Sequence, residues 1–162
     1  MGERLLWRYM RDYGLKPVAL RYFNVYGPRM RPGPYAGVVY KFITTLLWGG
    51  TPVIYGDGEQ TRDFVYVGDV AEANLKALET RYTGPVNIGT GVETNINKLY
   101  WLICSLIGRC PEPRYELPRP GDVRQSKASI RLAWEKLGWK PATSLEEGLR
   151  RTIEYYRVAG TS

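Results

Sequence analysis

Arg62 follows a turn built on Gly56, Asp57 and Gly58 and precedes a short aromatic and β-branched run, Phe64 to Val67. Glycines let the backbone bend where a Cβ would clash, so a ligand can come close to the chain there. A guanidinium beside such a turn presents a planar fork of donors that suits a phosphate. Asn24 stands where the apolar stretch from Lys16 to Tyr22 gives way to a loop. Ligands of open α/β sheets gather at the carboxyl ends of strands, and an asparagine there offers both a donor and an acceptor. Each residue also has a plainer reading. Arg62 can pair on the surface with Asp57 or Asp63, which contributes little, and Asn24 can end a strand through a local side-chain turn.

Other chemistries are excluded by composition. The chain has no histidine, so no imidazole acts as base, nucleophile partner or metal ligand. The two cysteines, Cys104 and Cys110, have no metal-ligand spacing around them, and no metal site is expected. Cys104, among Leu102, Ile103, Leu106 and Ile107, reads as a small core residue, with a disulfide to Cys110 left open. The net charge of +7 comes from 23 Lys and Arg scattered without a block of five, which disfavours nucleic acid and suits an anionic small molecule. No apolar run has the length to cross a bilayer and no signal peptide opens the chain, so a cytoplasmic location is expected.

The elements that must position these residues alternate between helix and strand over 162 residues, which argues an α/β fold in one domain. Helices are expected at 2–13, at about 35–49 with Val38, Val39, Phe42, Ile43, Leu46 and Leu47 inside, near 95–107, and at 130–137 with Gly138 as C-cap. Asp69 and Glu72 read as a capping box for a helix that buries Ala71, Leu75 and Leu78, and Ser144 with Glu147 as another for a last helix. Strands are expected at 16–22, 52–55, 63–67, 85–88 and 114–117. Residues 24–34, with three prolines and two glycines, read as loop.

Four ordered segments carry a family likeness. They are Arg21-Tyr22-Phe23-Asn24-Val25-Tyr26-Gly27-Pro28-Arg29, the run from Gly56 to Val70, Val86-Asn87-Ile88-Gly89-Thr90-Gly91, and Arg119-Pro120-Gly121-Asp122. Together they resemble the substrate-binding half of the extended short-chain dehydrogenase/reductase family, the NAD-dependent nucleotide-sugar epimerases and dehydratases. Pro34-Tyr35-Ala36-Gly37-Val38 and the helix after it look like the UDP-glucose (UDP-galactose) 4-epimerase branch. UDP-glucuronate decarboxylases and dTDP-sugar dehydratases share much of the patterning. The resemblance implies a UDP-sugar site. In it Asn24, Arg62 and Arg119 meet the diphosphate, Asp122 accepts from the ribose, Val53 and Tyr55 hold the base, Val38 contacts the substrate, and Tyr22 and Phe23 line the nicotinamide pocket. Ser129 stands where the family has a helix-capping aspartate, and serine caps nearly as well.

The resemblance also implies what the 162 residues lack. Family members carry a Gly-x-x-Gly-x-x-Gly turn that seats NAD on a helix end, and a Tyr-x-x-x-Lys pair; neither occurs here. The expected fold is the C-terminal part of a Rossmann-like extended fold with its small substrate-binding subdomain, residues 1–24 being the remnant of the dinucleotide domain. Catalytic residues are expected to be none, with NAD not bound by this chain alone. Gly2-Glu3 and the following helix fit the place just after the family lysine. The expected partners are a UDP-sugar, and either a second copy through the first helix or another chain that supplies the missing half. The competing readings are a non-catalytic nucleotide-sugar-binding protein and, further off, a basic nucleic-acid binder.

Overall fold

The chain from Val18 to Tyr26 runs extended but changes partners midway. Strand β1 (Val18–Tyr22) pairs in parallel with β6 (Gly84–Ile88), and β2 (Asn24–Tyr26) pairs in parallel with β5 (Phe64–Tyr66). Phe23 N still donates to Ile88 O, while Asn24 N donates to Asp63 O, both at 2.9 Å. Asn24 therefore stands at the fork, the kind of switch point beside which open α/β sheets bind ligands. The computed structural model describes residues 2–33 and 36–159; Met1, Pro34, Tyr35 and the last three residues lie outside them, the first two residues of the epimerase-branch segment included.

Two more pairs complete the strands: β3 (Val53–Tyr55) with β8 (Arg114–Glu116) in parallel, and β4 (Thr61–Arg62) with β7 (Thr94–Asn95) antiparallel. The helices are α1 (Gly2–Tyr13), α2 (Val38–Leu47), α3 (Val67–Glu79), α4 (Ile96–Ile107), α5 (Arg131–Leu137) and α6 (Leu145–Ala159). Adjacent residues of a strand face opposite ways, and β5 uses this to divide two cores. Phe64 joins Tyr26, Phe42, Ile43, Leu99, Ile103, Leu149 and Ile153, where α2, α4 and α6 meet. Val65 joins Val86, Ile88, Ala133, Leu137 and Trp139 on the other side. Helix α6 comes close to the first core because Gly148 has no Cβ: one built there would strike the hydroxyl of buried Tyr26.

Several expectations need correction. Residues 24–34 are not all loop, since β2 begins at Asn24. Helix α3 starts at Val67, so Asp69 is not its cap. Asp69 is buried and accepts from Thr143 N and Oγ1 at 3.1 and 3.0 Å, tying α3 to the segment before α6. The buried face of α3 is Val70 and Ala73, with Leu75 62% and Leu78 84% exposed, because small residues let the helix sit close to the strands. Ser129 does not cap α5, whose N-cap is Ile130 without a side-chain bond. Cys104 is buried as expected but bonded to Cys110. The left-handed C-cap Gly108 turns the chain back over the last turn of α4, leaving the two Cα atoms 4.8 Å apart. Ser144 does accept from Glu147 N, and Gly138 is the left-handed C-cap of α5.

Candidate functional site

A cleft of about 230 Å³ opens between the start of α2, the end of β3 and the segment after β8. Asn24, Val38, Val53, Tyr55, Arg62, Arg119 and Asp122 all line it. They come from five separated stretches of chain, which is what sequence spacing alone cannot show. The cleft continues into a wider, open recess beside Gly56 and Pro118, with Tyr55, Gln60, Arg119 and Asp122 common to both.

Arg62 is held at its root. Its Nη1 donates to Thr61 O and Val123 O at 2.6 and 2.5 Å, and its Nη2 to the Asp122 carboxylate. Neither Asp57 nor Asp63 takes it: Asp57 pairs with Arg124 at 2.7 Å, whose guanidinium holds the Asp57 carboxyl below its ordinary range. Asp122, expected at a ribose, thus latches the Pro118–Val123 segment to Arg62. Arg119 sits over the Tyr55 ring, its Cζ 3.9 Å from the centroid, a cation–π contact that keeps the guanidinium at the cleft wall. Asn24 donates its Nδ2 to Asp63 O at 3.2 Å, so it serves the fork rather than a local turn.

The residue that organises this region was read in the sequence only as a surface partner for Arg62. Asp63 is fully buried, and its carboxylate accepts from Thr90 N and Oγ1 at 2.7 Å each, Gly91 N at 2.8 Å and Ala128 N at 3.0 Å. Its carbonyl meanwhile takes both bonds from Asn24. One aspartate therefore fixes Asn24, the turn after β6 and the approach to α5, with Arg62 next to it in sequence. Lys41 and Gln60 also line the cleft and were missed. Lys41 had a legible signal, since it lies three residues after Val38 on the same helix face.

Tyr22 and Phe23 are not brought to this cleft. Tyr22 is 47% exposed on the other side of β1, donating its hydroxyl to Asn74 Oδ1 at 2.8 Å near Leu6 and Leu78. Among the described residues no cluster of three or more His, Cys, Asp and Glu could hold a metal, and no helix is long and apolar enough to cross a membrane.

A model of the NAD dependent epimerase/dehydratase family matches residues 1–89. The chain belongs to that family. It is 42% identical to the UDP-glucose 4-epimerase of Mycolicibacterium smegmatis over 96% of its own length and 50% of the relative's. It is 36% identical to UDP-glucuronic acid decarboxylase 1 of Xenopus tropicalis over 97% of its length and 37% of the relative's. Its fold superposes on a crystal structure of UDP-glucose 4-epimerase from Thermotoga maritima with UDP-glucose, with a TM-score of 0.94 and 50% identity over 97% of this chain and 51% of that one. The chain thus spans about half the length of the UDP-glucose 4-epimerases it matches, in keeping with a portion of the family's α/β fold.

The family's dinucleotide does not fit the glycine turns described here. The turn Gly89-Thr90-Gly91 follows β6, but its Thr90 and Gly91 amides are already bound by Asp63. At Gly56–Gly58 the turn is closed by Asn97 N on Gly58 O and by Glu59 N on Asp57. Neither turn opens into a helix whose free amides could receive a diphosphate.

Proposed function

We propose that these residues form the UDP-hexose-binding portion of an NAD-dependent UDP-sugar 4-epimerase, one that works through a 4-keto sugar. One observation carries the reading: seven residues chosen from separate motifs converge on a single cleft. In it Arg62 and Arg119 bind the diphosphate with Asn24 beside it, Val53 and Tyr55 hold the base, Asp122 takes the ribose and Val38 sits at the helix start. Ligand entry exchanges partners, phosphate replacing Asp122 on Arg62 and releasing that carboxylate for the ribose. A calorimetric titration with UDP tests this. Saturable heat is the expected result, and heat equal to dilution would remove the site. The 36% identity to a decarboxylase keeps a UDP-glucuronate decarboxylase as the second reading, and the higher identity to 4-epimerases favours the first.

Residues 1–24 are, in the same proposal, the remnant of the dinucleotide domain, and NAD is not bound by these residues alone. No catalytic residue is assigned. The purified 162-residue chain is expected to show no turnover of UDP-glucose or UDP-galactose with added NAD, since the Tyr-x-x-x-Lys pair is absent from it. Conversion above background, in an assay coupled to either sugar, would overturn this. A cytoplasmic setting belongs to the proposal too.

Helix α1 is the proposed contact surface. No residue of α1 is buried, and Leu5, Tyr9, Met10 and Tyr13 are 55%, 45%, 39% and 72% exposed. The Glu3 carboxylate, held below its ordinary range by Arg21, makes a bidentate pair at 2.5 and 2.7 Å that fastens the helix start to β1. Exposed apolar patches of this kind favour association, through a second copy or a chain carrying the missing half. Sedimentation at rising concentration should show self-association that Leu5→Glu with Tyr9→Glu abolishes. A concentration-independent monomer would count against it.

A further inference from the structure

Lys41 stands apart from the other cations of the cleft. Arg62 is taken by Asp122 and two carbonyls, and Arg119 by the Tyr55 ring. Lys41 is half-buried, and among the described residues its ammonium has no hydrogen-bond or ion-pair partner. It lines not only the main cleft but also a side pocket of about 180 Å³ that contains Pro52, Val53, Tyr55 and Arg119. Lys41 thus borders the β3 segment, where the base is proposed to sit, as well as the main cleft. Gln60, on the main cleft, donates Nε2 to Tyr55 O at 2.8 Å, and its Oε1 is buried with no partner among the described residues. A lone ammonium and an orphaned acceptor therefore lie on either side of Tyr55 in sequence, both lining the cleft. Unpaired polar groups of this kind are completed by ligands or water.

We propose that Lys41 is a specificity residue that reads the base, donating to the carbonyl at position 4 so that a 4-keto pyrimidine such as uracil is selected over cytosine. The inference rests on the nucleotide-sugar reading of the cleft. An ammonium has three donors and no acceptor. Uracil offers it a carbonyl at O4 with an N–H beside it, the complement of Lys41 and Gln60. Cytosine replaces the carbonyl by an amino group and the N–H by a bare nitrogen, so donor meets donor and acceptor meets acceptor. A site built to bond one group rejects the analogue that lacks it, because its own polar groups are then left unpaired.

Calorimetric titrations of UDP and CDP into the whole chain and its Lys41→Met and Lys41→Arg variants test the proposal, with thermal melts to confirm folding. The wild-type chain should prefer UDP. Lys41→Met should weaken UDP by roughly ten- to a hundredfold, the range for a charge-assisted bond, and leave CDP unchanged, while Lys41→Arg keeps part of the preference. Equal weakening of UDP and CDP would make Lys41 a phosphate cation and overturn the proposal, as would equal wild-type affinities or a Lys41→Met variant with unchanged UDP affinity. No wild-type binding of UDP would instead sink the nucleotide-sugar reading, and this inference with it.

Discussion

Asp63→Asn is expected to lose several kcal/mol of folding stability, because hydrogen bonds to a charged acceptor contribute about 1.5–3 kcal/mol each. The carboxylate accepts four hydrogen bonds, three of them from backbone amides, in a place with no access to water. Asparagine keeps one acceptor and turns its NH₂ toward amides that are themselves donors. A domain of this size is stable by about 5–15 kcal/mol in all, so the change removes a large part of the total. Asp63→Ala should be comparable, since each buried amide left unpaired costs about 1–3 kcal/mol. Urea denaturation checks both: the midpoint should fall steeply at an unchanged slope. A midpoint within error of the wild type would mean that the turn after β6 is held by something other than Asp63.

The second large effect concerns binding. Arg62→Ala should weaken UDP by roughly ten- to a hundredfold, because a charge-assisted bond to phosphate contributes about 1.5–3 kcal/mol. Arg119→Ala should weaken it similarly, and the double variant should bring binding below detection. Part of the Arg62 effect is indirect: its Nη2 and Nη1 anchor Asp122 and Val123, so removing it also frees the segment that carries Arg119. The two losses are therefore expected not to add, as for residues of one network. Tyr66→Phe is the control, since Tyr66 lies edge-on to Tyr26 in the core and away from the cleft. Calorimetry that finds both arginine variants as tight as the wild type would leave the cleft without a diphosphate clamp.

Much of the architecture was legible because hydrophobic periodicity and turn chemistry agree. Helix α2 puts Val39, Phe42, Ile43 and Leu46 in the core as its spacing predicts, and Gly138 and Ser144 end and begin helices where read. Periodicity misled at α3, where Leu75 and Leu78 look like a core face but the apolar residues buried are Val70 and Ala73. The two-residue strands β4 and β7 were invisible, being too short for any alternation. The seven cleft residues were found through motifs, each local in sequence. Asp63 was read as a surface residue because its role is defined by amides of residues 27, 28 and 65 positions away, and no local pattern encodes that. The Cys104–Cys110 bond was open in the sequence for a related reason: the helix pattern buries Cys104 correctly but says nothing of the return path after Gly108.

The cleft, and no other surface, is proposed to receive a UDP-sugar diphosphate. Titrating UDP into isotope-labelled chain while following backbone amide resonances tests it most directly. The account predicts saturable shifts confined to Asn24, Gly37 and Val38, Val53 to Gly56, Arg62, and Arg119 to Asp122, with little change in α1 and α5. Shifts absent from these residues, or centred on the Tyr22 side of β1, would contradict it.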